Sequence, residues 1–161
     1  MSTKKIAYLS LLTALALIIF FVEAQIPPIV PIPGIKLGLA NVITLITLVR
    51  FGRRDAFAVL ALRIALSSIL TGTAAGFIYS ASGGILSFLT IAVLIDVLKK
   101  DRLWAVSIFG AIAHNIGQIS VAVILTSTIQ IFWYLPILVI SAVITGLFTG
   151  ICAGAALKYL K

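Results

Sequence analysis

Charged residues are scarce in this 161-residue chain, making up 10% of the sequence against 62% hydrophobic residues. Soluble domains carry about 25% charged residues, so a water-soluble domain is excluded, and the mean hydropathy of +1.27 indicates a protein of the lipid bilayer. Acidic residues are the scarcest, with 4 Asp and Glu against 12 Lys and Arg. A net charge of +8 would suggest nucleic acid in a soluble chain. Here too few polar residues remain for a nucleic-acid-binding surface, so we expect no nucleic-acid partner.

Several catalytic and structural motifs are also missing. No GxxxxGK[ST] sequence is present to hold nucleotide phosphates, so any ATP-driven step has to come from a partner. The single cysteine, Cys152, lies in an apolar stretch and cannot form an internal disulfide. The one histidine, His114, has no cysteine nearby, and a single histidine is a poor ligand set for a metal ion. We expect neither a metal nor a cofactor.

Long apolar segments are what the chain does have. Charge clusters and Pro or Gly turns bound them at about 6–24, 37–49, 56–72, 84–98, 103–128 and 131–157. Because a membrane-spanning helix needs about 20 apolar residues, we interpret residues 1–161 as one all-α transmembrane domain of about six helices. The second and fourth segments are short for full spans. The first also resembles a secretory signal peptide, but we expect an uncleaved helix.

Positive charge is concentrated at alternate ends of these segments. Ten of the twelve cations precede the first helix, follow the second or fourth, or end the sixth: Lys4, Lys5, Arg50, Arg53, Arg54, Lys99, Lys100, Arg102, Lys158 and Lys161. By the positive-inside rule, this distribution predicts that both termini are cytoplasmic. Only Lys36 and Arg63 are left over.

The polar residues that remain within or beyond the membrane are the candidates for substrate binding. They are Glu23, Lys36, Asn41, Arg63, His114, Asn115 and Gln118. Arg63 is the strongest indication, because a cation at the centre of a span costs about 2.5 to 3.5 kcal/mol on insertion scales and needs a partner or a wet cavity. The alternative to a pocket role is a structural pair with Glu23 or bonds to helix carbonyls. Arg63 and Lys36 together suggest an anionic or carbonyl-rich ligand.

The fifth helix carries three hydrogen-bonding side chains within five residues. His114 and Gln118 share a face at the i, i+4 spacing, with Asn115 beside them. Such a group suits a polar ligand, and bonding between helices is the alternative. The connection from Gln25 to Lys36 contains four of the five prolines and is therefore stiff and extended. It is either a lid that carries Lys36 over the pocket mouth or a plain connector.

Small residues mark two helix surfaces. Gly146, Gly150 and Gly154 form a stripe on the sixth helix, where packing inside the bundle is favoured. Ser10 and Ala14 form a small-xxx-small pair on the first helix, for which a partner surface is the more informative hypothesis.

Five stretches taken together resemble one family. They are Glu23-Ala-Gln-Ile-Pro27, Pro33-Gly-Ile-Lys-Leu-Gly-Leu-Ala-Asn41, Arg63, Ser82-Gly-Gly84 and His114-Asn-Ile-Gly-Gln118. They resemble the Gx transporter family, often described as heptaprenyl diphosphate synthase component I and similar to substrate-binding S components of energy-coupling factor (ECF) transporters. The resemblance runs from about residue 6 to 157.

The resemblance implies a six-helix S-component bundle in a prokaryotic cell membrane, with a pocket for a small nutrient or precursor near the outer face. It implies a coupling transmembrane protein and two ATPase subunits as partners. S components typically meet the coupling protein through an AxxxA pattern on the first helix, for which Ser10 and Ala14 are the nearest match here. A link to isoprenoid or quinone metabolism would suggest such a precursor as substrate.

Catalysis is not expected despite the synthase description. Prenyl diphosphate synthases hold magnesium with aspartate-rich clusters, whereas Asp55, Asp96 and Asp101 are widely separated. Two other functions stay open. One is a small proton-coupled exporter using Glu23, although the one-sided charge distribution argues against dual topology. The other is a non-transporting accessory subunit of isoprenoid metabolism, which would have little need for the buried polar group.

Overall fold

A computed structural model describes residues 2–26, 36–98 and 102–159, and these segments are entirely helical apart from their connections. The helices are α1 (Thr3–Glu23), α2 (Asn41–Phe51), α3 (Arg53–Thr71), α4 (Ala74–Leu98), α5 (Leu103–Thr126) and α6 (Leu135–Tyr159), with a 3-10 helix (Ile129–Tyr134) before α6. The all-α prediction is thereby confirmed. Residues 27–35 of the proline-rich connection, together with Lys99, Lys100, Asp101 and Lys161, lie outside the described residues.

The fourth helix differs most from its predicted bounds. It begins at Ala74, whereas the sequence pattern predicted a start at 84, and its 25 residues make it a long helix. The turn lies earlier, at Gly72, whose left-handed backbone ends α3. Gly83 and Gly84, interpreted as a break, continue the helix, since their missing side chains let α5 and α3 approach closely.

Within the described residues, four helical segments are long and apolar enough to cross a membrane: Thr3–Glu23, Ala74–Leu98, Leu103–Thr126 and Ile129–Tyr159. The chain is therefore a multi-pass membrane protein. With 11 residues, α2 extends only about 16 Å at 1.5 Å per residue. In α3 the first turn carries Arg53, Arg54 and Asp55 and the middle carries Arg63, which lowers its hydropathy.

The packing of the bundle centres on α5, which makes its most extensive contacts with α4 and α6. Two apolar clusters form the core. The larger one joins the α2 side of the bundle to the start of α5, around Leu45, Leu60 and Val106. The smaller one joins the later part of α5 to the start of α6, around Ile119 and Leu138. The buried polar residues of α5 lie between these two clusters along the helix.

Ion pairs connect helices at the end of the bundle that carries most of the cations. Lys5 of α1 pairs with Asp55 of α3 at 2.6 Å, and Arg53 of α3 pairs with Asp96 of α4. Arg53 also donates to the carbonyl of Ala92 at 3.0 Å. These carboxylates thus neutralise neighbouring cations and connect three helices.

The glycine stripe on α6 divides into two parts. A Cβ atom at Gly146 would lie 2.6 Å from the Cα of Ile108, and one at Gly150 would lie 2.5 Å from the Cα of Trp104. Both glycines therefore let α6 pack against the α5 backbone. A Cβ at Gly154 would meet nothing within 4 Å, so this position takes no part in the close contact.

Candidate functional site

The three polar side chains of α5 are buried together, as their spacing predicted. His114, Asn115 and Gln118 are 2%, 1% and 1% exposed. The Asn115 Nδ2 donates to the carbonyl of Leu138 at 2.8 Å, which links α5 to α6. The Gln118 Oε1 accepts the backbone N–H of Lys36 at 3.1 Å, which links α5 to the segment before α2. Bonding between elements thus uses part of this group but not all of it.

The imidazole of His114 lies between two glycines. A Cβ at Gly38, which has a φ of +80°, would come within 2.8 Å of His114 Cδ2, and a Cβ at Gly83 would come within 2.8 Å of His114 Nδ1. Any larger residue at either position would displace the ring. The His114 Nδ1 has no hydrogen-bond partner among the described residues.

Arg63 of α3 lies next to this group, and its side chain is 3% exposed. Its Nη2 would be 3.5 Å from a Cβ at Gly84, an ordinary contact distance, so the guanidinium lies beside α4 at this glycine. Within the described part of the chain, Arg63 Nε and Nη2 and the Asn115 Oδ1 are buried without a hydrogen-bond partner. A buried polar atom without a partner costs about 1 to 3 kcal/mol, so these atoms favour a polar ligand.

Glu23, at the end of α1, holds the segment that leads into α2. Its carboxylate accepts the backbone N–H of Gly38 at 2.6 Å and that of Leu39 at 2.9 Å. The carboxylate also attracts Lys36 and Arg63 electrostatically. Among the described residues, Glu23 and Arg63 form no ion pair within 4 Å, so Glu23 is foremost an anchor for the backbone at residues 38 and 39.

Lys36 contributes a cation close to the C-terminal end of α1. Its Nζ lies 3.4 Å from the ring centroid of Phe20, a cation–π contact. The Glu23 carboxylate attracts this cation, and the guanidinium of Arg63 repels it.

Asn41 begins α2 and faces a different polar group. Its Nδ2 donates to Ser87 Oγ at 3.4 Å, beside a cavity with about 10 Å³ of free volume. On the same cavity, Ser107 and Thr149 form a hydrogen bond of 2.7 Å. These hydroxyl residues were not predicted from the sequence, because single Ser and Thr residues are common in membrane helices, where they bond to preceding carbonyls.

Metal ligands are not grouped in the described structure. No group of three or more His, Cys, Asp or Glu side chains that could hold a metal ion occurs among the residues that the structure describes.

Ser10 and Ala14 lie on the exposed side of α1, while Leu12, Thr13 and Ala16 face the bundle. The small-residue pair is thus on the surface and takes no part in the buried cluster.

A comparison with protein families gives one match for the chain. The family model described as heptaprenyl diphosphate synthase component I matches residues 12–156, a range that includes every candidate substrate-binding residue. No curated protein and no solved structure matches the chain.

Proposed function

The chain belongs to the heptaprenyl diphosphate synthase component I family, and on that basis we propose that it is the substrate-binding S component of an ECF-type importer. It captures a small nutrient or precursor from outside the cell, and partner subunits drive uptake with ATP. The partners are a coupling transmembrane protein and two ATPases. The observation that carries this proposal is the buried cluster of Arg63, His114, Asn115 and Gln118, whose unpartnered polar atoms suit a captured polar ligand.

A binding role accounts for the cluster better than a synthase role does. Asp55 and Asp96 pair with cations at one end of the bundle, so they are not available together for a magnesium diphosphate. The buried polar atoms without partners in the described structure instead belong to neutral or cationic side chains. Such a group recognises a ligand and supplies no aspartate-rich metal centre.

The proposed layout places the protein in a prokaryotic cell membrane with six crossings and both termini in the cytoplasm. In this layout α2 forms the inner part of a crossing, and residues 36–40 continue this crossing toward the outer face. Residues 36–40 then lie within the membrane thickness, where irregular backbone is tolerated only when it is buried in protein or lines a cavity. The bonds from Glu23 and Gln118 to this backbone supply that burial.

The exposed side of α1 is the proposed contact with the coupling protein. Ser10 and Ala14 are both exposed and small, so a partner helix can approach closely along them. Their position away from the buried cluster separates the docking surface from the binding residues.

Co-expression of the tagged chain with the coupling protein and both ATPases tests the proposal. We expect all four to copurify, and we expect Ala14→Phe to reduce recovery of the partners by tenfold or more. Ile124→Phe is the matched control, because Ile124 is exposed on α5 far from this surface, and it should leave recovery unchanged. Purification of the wild-type chain without the three partners would contradict the proposal.

A further inference from the structure

The guanidinium of Arg63 presents one edge without partners. Nε and Nη2 are both buried, and neither has a hydrogen-bond partner among the described residues. These two nitrogens lie on the same side of the planar guanidinium, and their N–H bonds run nearly parallel. Such an edge matches the two oxygens of a carboxylate or a phosphate.

The internal candidate for this edge is Glu23, and it is already engaged. Its Oε1 and Oε2 accept the backbone N–H groups of Gly38 and Leu39. Moving the carboxylate onto Arg63 would release two backbone donors in a buried region. With its carboxylate held there, Glu23 makes no ion pair with Arg63 within 4 Å in the described structure, so the Arg63 edge is available for another anion.

The charges around the edge favour a ligand with one negative charge. Arg63 and Lys36 are the cations, and among the described residues Glu23 is the one carboxylate with which both interact. One positive charge is thus uncompensated, and an uncompensated charge in a buried site is costly. A singly charged oxyanion neutralises it, whereas a neutral ligand leaves it in place.

We propose that Arg63 holds the substrate side-on by a carboxylate or phosphate group, through its Nε–Nη2 edge. This inference rests on the proposed function, since it takes the buried cluster as the substrate site. Asn115 Oδ1, also buried without a partner in the described structure, is then available to the remainder of the ligand. Specificity for an oxyanion comes from the geometry of Arg63 in addition to its charge.

Thermal unfolding of the purified, detergent-solubilised chain tests the proposal with three probes of similar size: butanoate, the singly charged dimethyl phosphate and the neutral butanamide. A ligand that binds the native state raises the unfolding temperature in a saturable way. We expect one of the two anions to do so, which identifies the oxyanion, and butanamide to have no effect. Equal stabilisation by butanamide, or none by either anion, would overturn the proposal.

Arg63→Lys separates geometry from charge, because lysine keeps the cation but lacks the paired donors. We expect at least tenfold weaker binding of the effective anion in this variant, whereas unchanged binding would overturn the side-on assignment. The comparison of probes on the wild type needs no variant and stands even if Arg63→Lys fails to fold.

A neutral ligand would separate the two proposals. If butanamide stabilises the wild type and Asn115→Leu abolishes the effect, the cluster is a binding site and the oxyanion assignment fails alone. If none of the three probes stabilises the protein and the four-component complex does not form, both proposals fail.

Discussion

His114 and Gly38 are packed so closely that a Cβ atom at residue 38 would lie 2.8 Å from the imidazole Cδ2. Residue 38 therefore packs against the Cδ2–Nε2 edge of the imidazole, and glycine is required there because a Cβ atom would overlap the ring.

Gly38→Ala tests this contact against a matched control. Gly38 and Gly52 both have positive φ, +80° and +92°, but a Cβ at Gly52 would meet nothing within 4 Å. Both alanine variants bear the backbone strain, and only Gly38→Ala adds overpacking, which typically costs about 1 to 3 kcal/mol. We expect a correspondingly larger loss of unfolding free energy for Gly38→Ala, measured by denaturant titration in detergent. Equal losses would show that the contact with His114 is unimportant.

Glu23→Ala is expected to loosen the segment that Glu23 anchors. The variant removes both acceptors of the Gly38 and Leu39 amides, so hydrogen exchange at these two amides should accelerate by tenfold or more. Glu23→Gln retains one amide oxygen and should give an intermediate rate. Unchanged exchange in the alanine variant would contradict the anchoring role.

The same glutamine variant distinguishes the importer from a proton-coupled exporter. An exporter that uses Glu23 to carry protons would transport alone in liposomes and lose transport in Glu23→Gln. The S-component proposal expects no proton-driven transport by the isolated wild-type chain. Transport that is present in the wild type and lost in the variant would favour the exporter.

Two glycines of one stripe should respond differently to alanine. At Gly150 a Cβ would lie 2.5 Å from the Cα of Trp104, so Gly150→Ala has to separate α5 from α6. We expect a loss of about 1 to 3 kcal/mol in unfolding free energy. Gly154→Ala should be neutral or stabilising by up to about 1 kcal/mol, since alanine favours the helix and the added methyl meets nothing within 4 Å. Similar losses in both variants would contradict this packing.

Helical periodicity explains what could be predicted of the site from the sequence. His114, Asn115 and Gln118 are buried together because positions three and four apart share a helix face. Arg63 could be identified because a cation in an apolar segment requires compensation. Both inferences depend on local spacing within one regular helix.

Contacts made by irregular backbone could not be predicted in this way. The binding of Glu23 to the amides of Gly38 and Leu39 depends on the path of a non-helical segment, for which no periodicity exists. The start of α4 was missed for a related reason. Gly83 and Gly84 can end a helix or permit close packing, and only the close approach of His114 to the first and of Leu60 and Ile64 to the second shows that they do the latter.

Native mass spectrometry of the purified protein tests the central claim most directly. If the buried cluster is the substrate site, the wild-type chain retains one small molecule at a 1:1 ratio. Arg63→Gln, which removes the cation and its paired donors, should lose this molecule, and Arg50→Gln, at the distant end of α2, should keep it. Absence of a retained molecule from the wild type, or equal retention by all three proteins, would contradict the account.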